Sequence, residues 1–263
     1  LPMQPASAAS ASWQARKILR GPSAAGILKR SPRPDTPHMT KSPTTGGGRQ
    51  LSTRLRPSTK RSPQSKRWLE RQLNDPYVAA AKAAGYRSRA AFKLVELDEK
   101  FRLLKPGARV VDLGCAPGGW IQVALKAVGD RGRVVGLDLL PVDPVPGATI
   151  FQGDFQDQAA EKQVEDALGG RADLVLSDMA PNTTGHAATD HLRIMGLAEL
   201  ALDFALRVLA PGGAFAAKVF QGGSEKAFLD TLKARFTQVR HAKPPASRKD
   251  SAELYVVATG FRG

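Results

Sequence analysis

Polar and apolar positions along this chain switch between two periods, most regularly from about residue 74 onward. Short apolar runs recur at 108–113, Val134–Asp138, Ala148–Phe151, Ala172–Ser177, Ala214–Ala217, Thr237–Arg240 and Leu254–Ala258. Each has the length of a buried strand. Between them lie stretches with apolar residues three and four apart. In Ser88–Leu104 these are Ala91, Leu94, Val95, Leu97, Phe101 and Leu104, which share one helix face. Further helices are predicted from Trp120 through Leu125, over 156–168, from Ile194 to Leu209 and over 224–235. Asn74-Asp75-Pro76 reads as a helix start, since Pro suits a first turn. Lys105-Pro106-Gly107 and Pro211-Gly212-Gly213 read as stops. Strands alternating with helices build a mainly parallel sheet covered on both faces. No helix separates the last two of the seven strands, so the final one is expected to run antiparallel.

Composition divides the chain unevenly. Two thirds of the net charge of +15 lies in residues 1–60, where eleven lysines and arginines face a single acid, Asp35. That segment is built of Ala, Ser, Pro, Thr and Gly, which cannot bury enough apolar surface to offset the entropy of ordering it. It is expected to be a disordered basic arm, with the folded region running from about 66 to 263. Three roles fit the arm: a solvated tail, a sequence-blind tether to polyphosphate, or a transit peptide directing the protein to the mitochondrial matrix. The last is weakened by the lack of a clear amphipathic helix. No window approaches the roughly 18 apolar residues of a membrane span, so a soluble, cytoplasmic protein is expected. The lone cysteine, Cys115, excludes an internal disulfide and a zinc cluster. No metal is expected, and Cys115 reads as a packing residue.

Chemistry concentrates at the predicted carboxyl ends of the strands, where open α/β sheets bind ligands. Strand one runs into Asp112-Leu113-Gly114-Cys115-Ala116-Pro117-Gly118-Gly119-Trp120. This is D-x-G-x-x-P-G-G and not the G-x-G-x-x-G that seats a pyrophosphate, which argues against a nucleotide-dependent dehydrogenase. With Asp112 ahead of the glycines Gly114, Gly118 and Gly119, the loop suits a ligand bearing a positive amine. S-adenosylmethionine is such a ligand. Asp138 ends strand two, where an acid can accept hydrogen bonds from ribose hydroxyls. Asp154, after strand three, is placed to accept from an adenine amino group. Asp178 ends strand four and Lys218 ends strand five. A lysine following five small or apolar residues in a central strand rarely stands there without a partner. Lys66, Arg67, Arg71, Arg87, Arg89, Arg248 and Lys249 are candidate phosphate contacts, and Trp68 and Tyr77 are either base-stacking or helix-packing aromatics. His186 and His191 fall in a polar stretch read as loop.

Five stretches in order carry a resemblance: Ser88-Arg89-Ala90-Ala91-Phe92-Lys93-Leu94, the Asp112–Trp120 turn, Ser177-Asp178-Met179-Ala180-Pro181-Asn182, Lys218-Val219-Phe220-Gln221-Gly222, and Ser247-Arg248 with Glu253-Leu254-Tyr255. From about 66 to 261 the chain resembles the FtsJ/RrmJ family of bacterial ribosomal RNA 2'-O-methyltransferases. The resemblance implies a Rossmann-like S-adenosylmethionine-dependent methyltransferase fold. It implies a catalytic tetrad of Lys93, Asp178, Lys218 and Glu253. Cofactor contacts are implied at Gly118, Trp120, Asp138, Asp154 and Asp178, beside Asp112, Gly114, Pro117 and Gly119 of the same turn. It further implies as substrate a uridine in the A loop of large-subunit ribosomal RNA, within an assembled or nearly assembled particle, and action as a monomer. Transfer RNA or messenger-cap methylation, and a non-catalytic role in ribosome assembly, remain as alternatives. In the expected chemistry Lys218 accepts the hydroxyl proton, Asp178 orients it, and Lys93 and Glu253 fix the 2'-hydroxyl. An ordinary lysine is neutral in about one copy per 2,500 at pH 7. Lys93 and partial burial favour the neutral amine of Lys218, whereas Asp178 and Glu253 favour the charged one, and their sum stays open at this level.

Overall fold

The structure is a computed structural model describing residues 70, 72–181, 184–220 and 226–263. The expected arm over 1–60, and Lys66, Arg67, Trp68 and Arg71, lie outside the described residues. Among the described residues the helices α1 (Pro76–Ala83) and α2 (Ala90–Phe101) lead in. The alternating part follows as β1 (Arg109–Leu113), α3 (Gly119–Val128), β2 (Arg133–Asp138), β3 (Ala148–Gln152), α4 (Gln158–Leu168), β4 (Ala172–Ser177), α5 (Ala187–Val208), β5 (Leu209–Phe220), α6 (Lys226–Arg235), β6 (Phe236–Ala242) and β7 (Glu253–Phe261).

The strands form one sheet in the order β3-β2-β1-β4-β5-β7-β6. The pairs from β3 to β5 are parallel, while β7 enters between β5 and β6 and runs antiparallel to both. The expected mainly parallel, seven-stranded architecture with an antiparallel last strand is what forms. Neighbouring residues of a strand face opposite sides of the sheet, and the core is split accordingly. Val111, Leu113, Val175 and Phe215 pack with α4, α5 and α6 on one face. Val110, Leu174, Leu176, Ala216 and Tyr255 pack with α2 and α3 on the other. Leu174 and Leu176 are fully buried, so truncating either to Ala should cost about 2–5 kcal/mol.

Helix α2 ends at Phe101, with Arg102 left-handed at φ 56°, ahead of the expected stop at Lys105-Pro106-Gly107, and two further boundaries differ from the expected ones. The helix read from Ile194 starts at Ala187, with His186 as its N-cap accepting from the Thr189 N–H. Asp190 in its first turn accepts from the Thr184 and Gly185 backbone N–H groups. The first two turns lack apolar periodicity because side-chain bonds to the backbone hold them, and periodicity cannot report that. His191 therefore lies on a helix and His186 caps one. The second difference is at Pro211-Gly212-Gly213, which belongs to β5. Pairing with β4 passes from Ala172↔Leu209 to Leu174↔Ala214 through an irregularity, so the Pro-Gly-Gly sequence makes a bulge at the start of the strand.

Candidate active site

Parallel β4 and β5 bring Asp178 and Lys218 to one edge of the sheet. Antiparallel β7 adds the rest, because Lys218 lies opposite Tyr255 and Phe220 opposite Glu253. Glu253 and Tyr255 are two residues apart and so share a face. Helix α2 covers that face and delivers Lys93, 160 residues from Glu253 in the chain. The four tetrad residues converge. Lys218 Nζ is 2.7 Å from Asp178 Oδ1 and donates to the Asp178 carbonyl at 2.9 Å. Lys93 Nζ is 2.8 Å from Glu253 Oε2, and Lys218 Nζ is 3.8 Å from that same oxygen. The other oxygen of Glu253 accepts from Ser247 Oγ at 2.7 Å. Both lysines and Glu253 are buried. Burial on its own would raise the Asp178 carboxyl. Lys218 and Lys93, with hydrogen bonds from Lys218 and Tyr255, outweigh it and hold that carboxyl below the usual range.

Tyr255 had no role assigned from the sequence, yet it links the two ion pairs. Its hydroxyl donates to Asp178 Oδ1 at 2.6 Å and accepts from Lys93 Nζ at 3.3 Å. Full burial, followed by the nearby Asp178 and Glu253 charges, pushes its phenol well above the ordinary value, so it stays a neutral donor. The period-two spacing from Glu253 was the available signal.

The glycine turn lies at the adjoining strand end. Asp112 is completely buried, and neither carboxylate oxygen has a hydrogen-bond partner among the described residues. Burial and the nearby Asp178 and Asp138 charges raise it well above the carboxylate range. A cation brought to this place would reverse that penalty. Gly114 must be glycine, because at φ +78° an added Cβ would lie 2.9 Å from Met179 backbone atoms. Asp138 Oδ2 accepts from the Ala116 N–H of the turn, and Oδ1 from the Leu140 N–H, both at 2.8 Å. Asp154 Oδ1 accepts from the Gln156 N–H. Gly118 caps α3 without a side-chain bond, so the first N–H groups of that helix face the turn, an arrangement suited to a carboxylate. Trp120 is buried, and its indole N–H donates to the Ala90 carbonyl at 2.7 Å. Its side chain fastens α3 to α2. An unanswered buried acid, open helix N–H groups and a close-fitting glycine turn together fit a ligand carrying both an amine and a carboxylate.

These elements lie within residues 86–261, which match the family described as FtsJ-like methyltransferase. The chain belongs to that family. Among curated relatives, a protein named ribosomal RNA large subunit methyltransferase E from Acidiphilium cryptum is 66% identical over 219 residues, covering 83% of this chain and 96% of the relative. One of the same name from Granulibacter bethesdensis is 66% identical over 225 residues, covering 85% and 95%. A solved structure described as a ribosomal RNA methyltransferase from Plasmodium falciparum is 31% identical, with a TM-score of 0.61, covering 68% of this chain and all of that one.

In this FtsJ-like domain several residues read as phosphate contacts are engaged by the protein. Arg89 Nε pairs with Asp75 at 2.9 Å, and its Nη2 donates to the Ala246 carbonyl. Arg87 donates to three carbonyls. Arg248 stands 3.7 Å from Asp75, and Lys249 is exposed. Tyr77 proves to be a packing aromatic, 5.5 Å from Phe92 with its hydroxyl donating to Glu96 at 3.0 Å. Cys115 is buried, as expected of a packing residue. Among the described residues no helix is long and apolar enough to cross a membrane.

Proposed function

We propose that this protein transfers a methyl group from S-adenosylmethionine to the 2'-oxygen of a ribose in large-subunit ribosomal RNA. The target favoured by the resemblance is a uridine of the A loop, in an assembled or nearly assembled particle. One observation carries the reading: two buried lysines and two carboxylates linked by contacts of 2.7–3.8 Å, beside a turn fitted to an amine and a carboxylate. The names borne by the relatives supply the substrate class.

Asp112 would answer the donor's amine, and the N–H groups of Gly119 and Trp120 its carboxylate. Asp138 would accept from the ribose hydroxyls and Asp154 from the adenine amino group, with Gly114, Pro117 and Gly118 shaping the turn. When bound, the donor would supply a methyl group on a positively charged sulfur, which would keep the electron pair of the broken carbon–sulfur bond and leave as a neutral thioether. The chain's own residues meet the remaining requirements. Lys218 accepts the proton of the 2'-hydroxyl as that oxygen forms its bond to carbon, which requires Lys218 to arrive as the neutral amine. Asp178 holds the Lys218 side chain on line and stabilises the ammonium formed. Lys93 and Glu253 would fix the hydroxyl in line with the methyl group. Tyr255 keeps Lys93 and Asp178 in register.

The test is methyl transfer from tritiated S-adenosylmethionine to 50S particles from cells lacking this gene. A 2'-O-methyl group blocks alkaline cleavage at its own phosphodiester. Label retained in one alkali-resistant dinucleotide of the large-subunit RNA is expected. Label released with single nucleotides, or carried by transfer RNA or capped RNA instead, would overturn the reading.

A further inference from the structure

Arg87 was among the residues the sequence offered to RNA phosphates. Its side chain is half-buried and turned elsewhere. Nη1 donates to the Pro117 carbonyl at 3.2 Å and the Asp143 carbonyl at 2.5 Å, and Nη2 donates to the Pro144 carbonyl at 2.7 Å. Its backbone N–H donates to Gln122 Oε1 on α3 at 2.8 Å, and Gln122 Nε2 donates back to the Gly85 carbonyl at 3.0 Å. One planar fork thus joins three pieces of chain: the segment leading into α2, the glycine turn, and the loop between β2 and β3. The fit is close. A Cβ added at Gly118 would lie 3.1 Å from Arg87 Nη1 and 3.3 Å from Val145. Lysine cannot reproduce a two-nitrogen fork onto three fixed carbonyls.

We propose that Arg87 is a positioning residue for the methyl donor and not a phosphate contact: it clamps the Pro117-Gly118 turn against the 143–145 loop and so sets donor affinity. The proposal rests on the reading of that turn as the donor site. It also gives a physical route between the two substrates, since the clamped segment runs directly into the helix that carries Lys93.

The experiment compares full-length Arg87→Lys and Arg87→Met with the unaltered protein. Three quantities are measured: hydrogen exchange at residues 114–119 without donor, the S-adenosylmethionine dissociation constant by calorimetry, and 50S affinity as a function of salt. Both variants are expected to exchange faster at the turn but not in β4. Both should bind the donor about tenfold more weakly, the loss of one to two hydrogen bonds. Their 50S affinity should stay within about twofold of the unaltered protein, with the same salt slope. A phosphate contact gives the opposite pattern. Arg87→Lys would then be near normal, while Arg87→Met would keep its donor affinity and lose about one unit of salt slope. That result overturns the proposal. So does unfolding of both variants, which would make the contact global, or unchanged exchange at the turn. If the unaltered protein binds no S-adenosylmethionine while the exchange effect is present, the donor reading fails and the claim about affinity falls with it.

Discussion

Where α2, β5 and β7 meet, each tetrad carboxylate has a lysine within 2.8 Å. Two strands from β5, beneath the glycine turn, Asp112 has no hydrogen-bond partner among the described residues, and Asp138 is answered there by backbone N–H groups alone. Both regions lie at carboxyl ends of the same sheet and both are buried, yet one is electrostatically closed and the other is left needing a positive ligand. The difference shows how the work is divided. The closed half must hold its geometry before either substrate arrives, because a ribose hydroxyl brings no charge with which to organise it. Under the proposed function, the open half can remain unsatisfied because a cationic donor would complete it on binding.

The comparison can be broken in order of expected effect. Lys218→Arg keeps the positive charge at 2.7 Å from Asp178 but is effectively unable to give up a proton. Single-turnover methylation should fall by about 10²–10⁴-fold with donor affinity little changed. A near-normal rate would remove Lys218 as the proton acceptor. Glu253→Gln leaves two buried lysines sharing one acid, so denaturant unfolding should show a loss of about 3 kcal/mol. A loss under about 1 kcal/mol would mean the ion pairs are as weak as exposed ones. Tyr255→Phe removes a hydrogen bond to a charged carboxylate and should cost about 2 kcal/mol, lowering turnover more than donor affinity.

The smallest effect sharpens the contrast most, because it has the opposite sign. A carboxyl whose folded-state value is raised contributes nothing adverse below about pH 3.9, its unfolded value, and costs stability as pH rises through the folded value. Asp112→Asn should therefore match the unaltered protein near pH 4 and become the more stable of the two as pH rises toward 8, while binding the donor more weakly. A stability gap that does not change with pH would place the charge of Asp112 elsewhere. Asp178 has the other sign, its lowered carboxyl stabilising the fold above the unfolded value and losing that contribution as pH falls through the folded one.

Much of this fold was legible because β-rich runs and helical periodicity are local signals. Strand order was not: nothing local says that β7 enters between β5 and β6. The tetrad was legible through strand-end polar residues joined to a family resemblance. Residues that act by contact across the chain were not. Arg87 looks like any surface cation until its fork is seen on three carbonyls. Tyr255 looks like a core aromatic until its hydroxyl is placed against Asp178. The first turns of α5 were missed because their support comes from capping by His186 and from Asp190, and not from an apolar stripe.

The place of β7 has a consequence for synthesis. Lys93 and Glu253 are 160 positions apart and become neighbours only when β7 docks between two strands that precede it. Closing so long a loop is slow and gains nothing until its distant ends meet. A growing polypeptide therefore carries its glycine turn early and completes its ion-pair quartet late. Under the proposed mechanism, the nascent enzyme would stay inert until β7 has left the ribosome that makes it.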